Sequence, residues 1–514
     1  MFRKLILVLL MMGSTQLSFS QKYKGDVWCF GDSAGIDWST PTNPTTFISV
    51  NRGRSGTVSL CDSLNKLLIY AGFFANGMTS QIKCRVNNRY HVAVNNGDSI
   101  FFEEWYHSLV FIPKPGNDSI VYLFTNIVTN ALDPYGLYYS IINYKANNDS
   151  GIVVQKNIQL NNLPAFDGLA AIRHGNGKDW WLIFKDYDPT WPYTYNNKFY
   201  IYLFDENGPA LHHTQFIGAT FYDGGGHSLF NMDGSKYYLC TWGGVIESID
   251  FDRCTGFFSN PTIIETTQTA QPFPYYNSLA LSPDESKLYV SAYCQANSLG
   301  GTDSLYQFDL STPNIAASKL QLYGSPNTTI GLGSLCMAPD NRIYLAAAFE
   351  NYYPYQDTSY NVYNTHLSVI NQPDSLGLAC DFQPFSFYLG GARTYYGLPN
   401  NPDYELGAWV GSPCDTLSTG LTPNPSPEER GAWMQAWYNP EWDMIHVNAS
   451  KLQGKTGVLR LVDIEGRIVF EKPAEVVSGG YFTTEIYTHE ISDGVYVVNL
   501  VTEKETLSFK VGKL

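Results

Sequence analysis

The most catalytic-looking short stretch of the chain is Asp223-Gly224-Gly225-Gly226-His227. Its glycines allow close backbone approach, and a histidine can act as base or ligand. The competing reading, and the preferred one, is a turn entering a β-strand. His174 and His212-His213 have no companion Cys, His or Asp at ligand spacing and read as surface residues. Gly331-x-Gly333-Ser334 lacks the strand-to-helix context of a nucleophile elbow. Asp186 and Asp188 offer the oxygen ligands that calcium takes, but two acids in a polar loop are ordinarily solvated. Glu103-Glu104 has no identifiable partner acid, so a glycosidase pair is unsupported. No catalytic, cofactor-binding or metal-binding residue is assigned.

Two loops dense in aromatics offer binding chemistry instead. One holds Trp191, Tyr193 and Tyr195; the other holds Tyr352, Tyr353 and Tyr355, with Tyr360 and Tyr363 downstream. Aromatic rings that keep a polar handle suit sugars or protein partners. These six residues are the ligand-binding candidates, and folding back over sheet edges is the competing reading.

The elements that must position them are hairpins. Ser278 to Tyr293 has two apolar runs around Ser282-Pro283-Asp284-Glu285-Ser286, where Pro and Asp set a turn. Weaker copies run from Ser59 to Tyr70, Leu109 to Phe124, Leu169 to Phe184, Ser228 to Trp242 and Ser334 to Ala348. Equivalent residues Leu68, Tyr122, Trp181, Tyr238, Tyr289 and Tyr344 are 54, 59, 57, 51 and 55 residues apart. A further apolar run ends in Asn87, Asn143, Asp205, Asp252, Asp309 and Asn371, with Asp37 as an orphan seventh marker. Four strands per unit at this period is a β-propeller pattern. Val27–Phe30, Ile36–Trp38 and Thr46–Val50 look like a blade without its first strand, which Thr394–Leu398 would supply. The expected fold is therefore all-β, a seven-bladed propeller over 21–415 closed by its terminal strands. Six blades and an N-terminal cap is the alternative.

Met1 to Ser20 has the plan of a signal peptide: Arg3 and Lys4, an apolar run Leu5 to Met12, then small residues Ser18 and Ser20. No other run approaches the length of a membrane helix, so no transmembrane anchor is expected in the mature chain. The formal charge is −15 over 514 residues, with 15% charged and 15% aromatic residues. An acidic chain without a basic cluster is a poor nucleic-acid binder. Nine cysteines at this length are no disulfide scaffold and fit no zinc spacing. Cys61 and Cys336 read as small packing residues, and a Cys240–Cys254 bridge needs extra loop bending. No cofactor is called for.

Proline-rich residues 416–436 read as a linker, and six short strands over 437–514 as a small immunoglobulin-like β-sandwich. Residues 437–514 resemble the type A C-terminal sorting domain of type IX secretion substrates. The resemblance rests on Asn439-Pro440, on Asp463-x-x-Gly466, on Gly494-x-Tyr496, and on a closing basic strand with Lys510. The opening departs from the family in lacking its first proline, with Trp437-Tyr438 before Asn439. It implies partnership with the type IX machinery and release or attachment at the outer cell surface. Residues 26–415 are similar in plan to secreted YVTN and WD40-like propellers, through Trp28-Cys29-Phe30-Gly31, Phe251-Asp252-Arg253-Cys254 and Gly411-Ser412-Pro413-Cys414-Asp415. The functional expectation is a secreted or surface-displayed propeller binding a glycan or protein. A hydrolase or lyase acting on polysaccharide or peptide in the central channel is the alternative.

Overall fold

Short apolar runs cut by Asn, Asp, Gly and Pro leave room for strands and turns and little else. In a computed structural model of the chain the described residues are 23–513, except 54–55, 74–82, 104, 129–135, 188–195, 222, 268–273, 294–301, 327, 350–358, 416–432, 440–442, 451, 453, 464–465, 477–481 and 490. The chain divides into two compact units, Met1–Trp409 and Val410–Leu514. The expected signal peptide lies outside the described residues.

Among the described residues, seven sheets follow one another along the first unit. Those at 109–159, 170–221, 226–266, 275–324 and 330–388 are four-stranded antiparallel meanders in simple order. The sheet at 27–52 has three strands, and the one at 57–101 gains Tyr23–Lys24 at its inner edge. All six expected hairpins form, and the third strands end at or beside the expected Asp and Asn markers. In the Ser282 turn the Asp284 carboxylate accepts the Ser286 N–H at 2.9 Å, and Glu285 takes a φ of 58°. That is the local chemistry the turn residues supply.

Each sheet packs on the next through a shared apolar layer. Cys29 meets Cys61, Leu60 lies in one core with Leu109 and Trp180, and Ile183 lies with Leu239. Leu288 then shares a core with Cys240, and Leu305 with Leu345. Trp28 and Phe30 finally pack with Ala346 and Leu367, so the last sheet meets the first. This closed ring of meanders is a β-propeller.

Closure departs from expectation in one respect. Thr394–Leu398 is buried but forms no regular strand. Arg393 bridges Asp32 and Ser33, and Pro399 bridges Thr57, as isolated pairs. The Tyr396 carbonyl instead accepts the Ser334 N–H from the neighbouring sheet at 2.6 Å, which prevents a continuous ladder with the 27–52 sheet. The Arg393 guanidinium completes the junction with Asp32 at 2.7 Å.

Beyond Pro399 the chain crosses the axis. Asn400 Nδ2 donates to the carbonyls of His107, Leu109 and Leu169 at 3.2, 3.0 and 2.9 Å, tying two sheets together. Tyr404 donates to Phe111, and Arg253 to Gly407. Asn400→Ala removes the donor from three inner-strand carbonyls. It should cost about 2 kcal/mol of stability, read as a lower urea midpoint of the propeller.

The second unit is a sandwich of a three-stranded and a four-stranded sheet. Ile445, Val447 and Ile486 face Leu459, Leu461, Val498 and Leu500 in its core. A strand at Trp433–Asn439 begins ahead of Trp437 and pairs with Met444–Ser450. Buried Tyr496 sends its hydroxyl back to the Ser492 carbonyl, the corner that pins a crossing between sheets in immunoglobulin-like sandwiches. Tyr496→Phe should lower the thermal stability of this unit by about 1 kcal/mol without changing its far-UV circular dichroism.

Candidate functional site

A three-residue pattern marks the inner strands. It reads Val58-Ser59-Leu60, His107-Ser108-Leu109, Asp167-Gly168-Leu169, His227-Ser228-Leu229, Asn277-Ser278-Leu279 and Gly333-Ser334-Leu335. Tyr396-Gly397-Leu398 repeats it in the closing segment. Inner strands of a propeller converge on its axis, so the first residues of these triplets meet there. Four consecutive sheets supply His107, Asp167, His227 and Asn277. The sequence had offered His227 alone, within a glycine turn. The signal that finds its companion is this shared position in the repeat.

The two imidazoles lie with ring centroids 3.6 Å apart and their planes tilted by 55°. His227 Nδ1 accepts the Leu279 N–H at 3.2 Å and faces Ser278 Oγ at 3.1 Å. An amide can only donate, so Nδ1 is unprotonated and the ring proton sits on Nε2. Burial pulls His227 down to about 3 and His107 well below the usual imidazole range. Both are neutral near pH 7. Ser278 Oγ also accepts the Leu335 N–H at 3.0 Å, and Ser278 is fully buried. Asp167 accepts the N–H groups of Tyr106 and His107 at 3.0 Å each, and burial holds its carboxyl well above the usual range. These side chains serve backbone groups of neighbouring sheets before anything else.

At the end of the axis where the inner strands begin, rings from several sheets gather. Trp105 and Trp242 lie 5.0 Å apart, Tyr106 and Tyr396 5.3 Å, and Trp242 and Tyr275 6.1 Å. Tyr293 stacks on Trp242 at 6.5 Å. All except Tyr396 are half-buried. Gly225 is demanded here, since a Cβ would fall 2.4 Å from the Trp242 ring. Gly226, at φ +150°, would place one 2.1 Å from the Cys240 carbonyl. The glycine run is thus a close-packed entry to the strand Gly226–Phe230, as the turn reading expects.

The proposed aromatic ligands Trp191, Tyr193, Tyr195, Tyr352, Tyr353 and Tyr355 lie outside the described residues. They follow the second strands Trp180–Lys185 and Ile343–Phe349, as Trp242 follows Lys236–Thr241. Tyr360 is exposed, with the Arg393 guanidinium 4.1 Å from its ring, and Tyr363 stacks on Phe349. His174 is half-buried beside Trp181, and His213 stacks on Phe257 at an outer strand. Asp186 accepts from Tyr200 at 3.1 Å beside the buried Lys185 ammonium, surroundings unlike a calcium site; Asp188 is outside the described residues. Glu103 is buried on the Val128 N–H, and Glu104 is not described. Cys61 is buried, whereas Cys336 is half-buried. Cys240 is a free, buried thiol and Cys254 is disulfide-bonded elsewhere, so the bridge between them does not form. Among the sorting-motif residues, Asp463 and Gly466 make a turn in which Asp463 accepts the Arg467 N–H at 2.9 Å, and Lys510 is exposed. Gly494 opens the strand that carries Tyr496, Asn439 pairs with Met444, and Pro440 is not described. Among the described residues no helix is long and apolar enough to cross a membrane.

Asp223 from the glycine turn and Glu247 on the next strand pair are buried near Lys185. Burial raises both carboxyls to about 7 and lowers the lysine to about 8. A carboxyl raised in the folded state binds its proton more tightly than in the unfolded chain. Its stabilising contribution is therefore full below about pH 4 and lost as pH rises through 7. Wild type should gain stability over the Asp223→Asn/Glu247→Gln variant as pH falls from 7 to 5, measured by urea midpoints.

No curated protein matches the chain. Among solved structures, the Myceliophteria thermophila Cps50 (Swd1) β-propeller domain aligns over 64% of this chain and 95% of its own, at 10% identity and TM-score 0.34. The extracellular domain of BT4673 from B. thetaiotaomicron aligns over 96% of this chain and 57% of its own, at 12% identity and TM-score 0.35. The propeller assignment rests on the sheets themselves. The secretion system C-terminal sorting domain family matches residues 435–512. The sandwich is therefore a type IX sorting domain, and the propeller is the cargo it exports to the cell surface or the medium.

Proposed function

We propose that the protein is an exported glycan-binding propeller whose ligand lies across the aromatic end of its axis. In this reading Met1–Ser20 is removed as a signal peptide. The observation that carries it is the cluster of Trp105, Tyr106, Trp242, Tyr275 and Tyr293, half-buried rings converging from three sheets. Planar rings with polar edges suit the apolar faces and hydroxyls of sugars. Trp191 and Tyr353, outside the described residues, follow the second strands Trp180–Lys185 and Ile343–Phe349 in the sequence and remain ligand candidates in this reading. A protein ligand is the other occupant such a surface takes.

A hydrolase or lyase is favoured by one contact, His227 Nδ1 at 3.1 Å from Ser278 Oγ. Against it, Ser278 is sealed from solvent, and no described carboxylate orients His227. Polysaccharide-degradation assays on the full chain should show no turnover. Glycan arrays should show binding that Trp105→Ala plus Trp242→Ala weakens at least about tenfold. Turnover abolished by Ser278→Ala would establish the enzyme reading, and unaltered glycan affinity in the double variant would remove the aromatic one. Deleting 437–514 should hold the propeller inside the cell envelope, checked by surface proteolysis of intact cells.

A further inference from the structure

We infer that the opposite end of the propeller axis is a second binding site, for a small uncharged molecule with an apolar body and one oxygen acceptor. A cavity of about 650 Å³ runs from the hairpin-turn end of the inner strands up to His107 and His227. Exposed Met232, Asn341 and Glu405 stand at its rim, so it opens to solvent there. The volume is that of sites for drug-sized ligands. Its walls are apolar, from Leu169, Ala171, Leu229, Leu281 and Met337.

Charge is accounted for at the rim and absent inside. Lys24 lies 3.8 Å from Asp26 and 3.4 Å from Glu405. Asp403 Oδ1 accepts the N–H groups of Glu405 and Leu406 at 2.8 and 3.1 Å. At the inner end both imidazoles are neutral, so an ion entering would lose water without gaining a counter-charge. Ring nitrogens are left over at this end, His107 Nδ1 among them. His227 is 7% exposed and lines the cavity, and with Nδ1 taken by the Leu279 N–H its Nε2–H has no acceptor among the described residues. Buried donors are nearly always paired. A ligand oxygen at the inner end of the cavity would pair this one, with Ser334 alongside. This site is independent of the aromatic end, from which the histidines separate it.

The test uses the full chain and the uncharged naphthyl ketone Prodan. Its emission should shift to the blue on saturable binding. Bound Prodan should also slow N-ethylmaleimide alkylation of Cys336, whose half-buried thiol lines the cavity, followed by peptide mass mapping. His227→Phe keeps a ring and removes the donor. It should weaken Prodan about tenfold and leave N-phenyl-1-naphthylamine, which lacks the carbonyl, unchanged. Met232→Trp, at an exposed rim position away from the inner strands, should weaken both probes. Trp242→Ala should alter neither, so failure of the glycan reading and failure of this one are distinguishable. Absence of saturable Prodan binding, or a Cys336 alkylation rate that Prodan leaves unchanged, would overturn the inference.

Discussion

The innermost strand of every propeller sheet is an edge strand. Its outward N–H and C=O groups face the axis with no ladder partner, and leaving them bare in a buried place is costly. The chain meets this demand with side chains from adjoining sheets and with residues 393–409. Asn400 serves three carbonyls, Tyr404 a fourth, Ser228 donates to Gly168, and Asp167 collects two N–H groups. Apolar layers hold each sheet to its neighbour. These axial contacts decide how the ring is finished.

That demand also separates scaffold from chemistry on the axis. A histidine beside a serine invites a catalytic reading, yet Ser278 Oγ accepts the Leu335 N–H and His227 Nδ1 accepts the Leu279 N–H. Both atoms fix the spacing of neighbouring inner strands. Burial then keeps both imidazoles neutral. The polar ring spans four sheets, and the remaining inner positions are Val58, Gly333 and Tyr396. The asymmetry follows where backbone groups must be reached, and His227 Nε2–H and His107 Nδ1 remain outside that network.

The repeat was legible because its causes are local. Pro283 and Asp284 bend one hairpin by themselves, and strand-ending Asp309 needs no distant partner. The axial histidines were not legible, because His107 acquires meaning from residues 120 positions away. Their common place before Ser-Leu was nonetheless present in the letters. Thr394–Leu398 failed as a strand for the same reason. Its composition suits a ladder, but Tyr396 is claimed by Ser334 across the junction. Trp105-Tyr106 and Trp242 were missed because they are separated by more than 130 residues, whereas the clustered tyrosines of the loops drew attention.

The sorting domain presents the opposite case, a motif read as a signal whose letters prove to be structural. Asp463-x-x-Gly466 is turn chemistry, with Gly466 at φ +84° and the carboxylate on the Arg467 amide. Tyr496 ties its strand to Ser492 from a buried position. Lys513 at the chain's end is buried too, donating to the Thr488 and Ile491 carbonyls while 3.0 Å from Asp443. Hydrogen bonds from Thr488, Lys513 and Tyr438 hold the Asp443 carboxyl down at about 2, so this carboxylate stays charged across the physiological range. The residues that identify the domain are thus largely those its sandwich needs in order to fold. Lys510, exposed on the last strand, is a member of the motif that the fold does not consume.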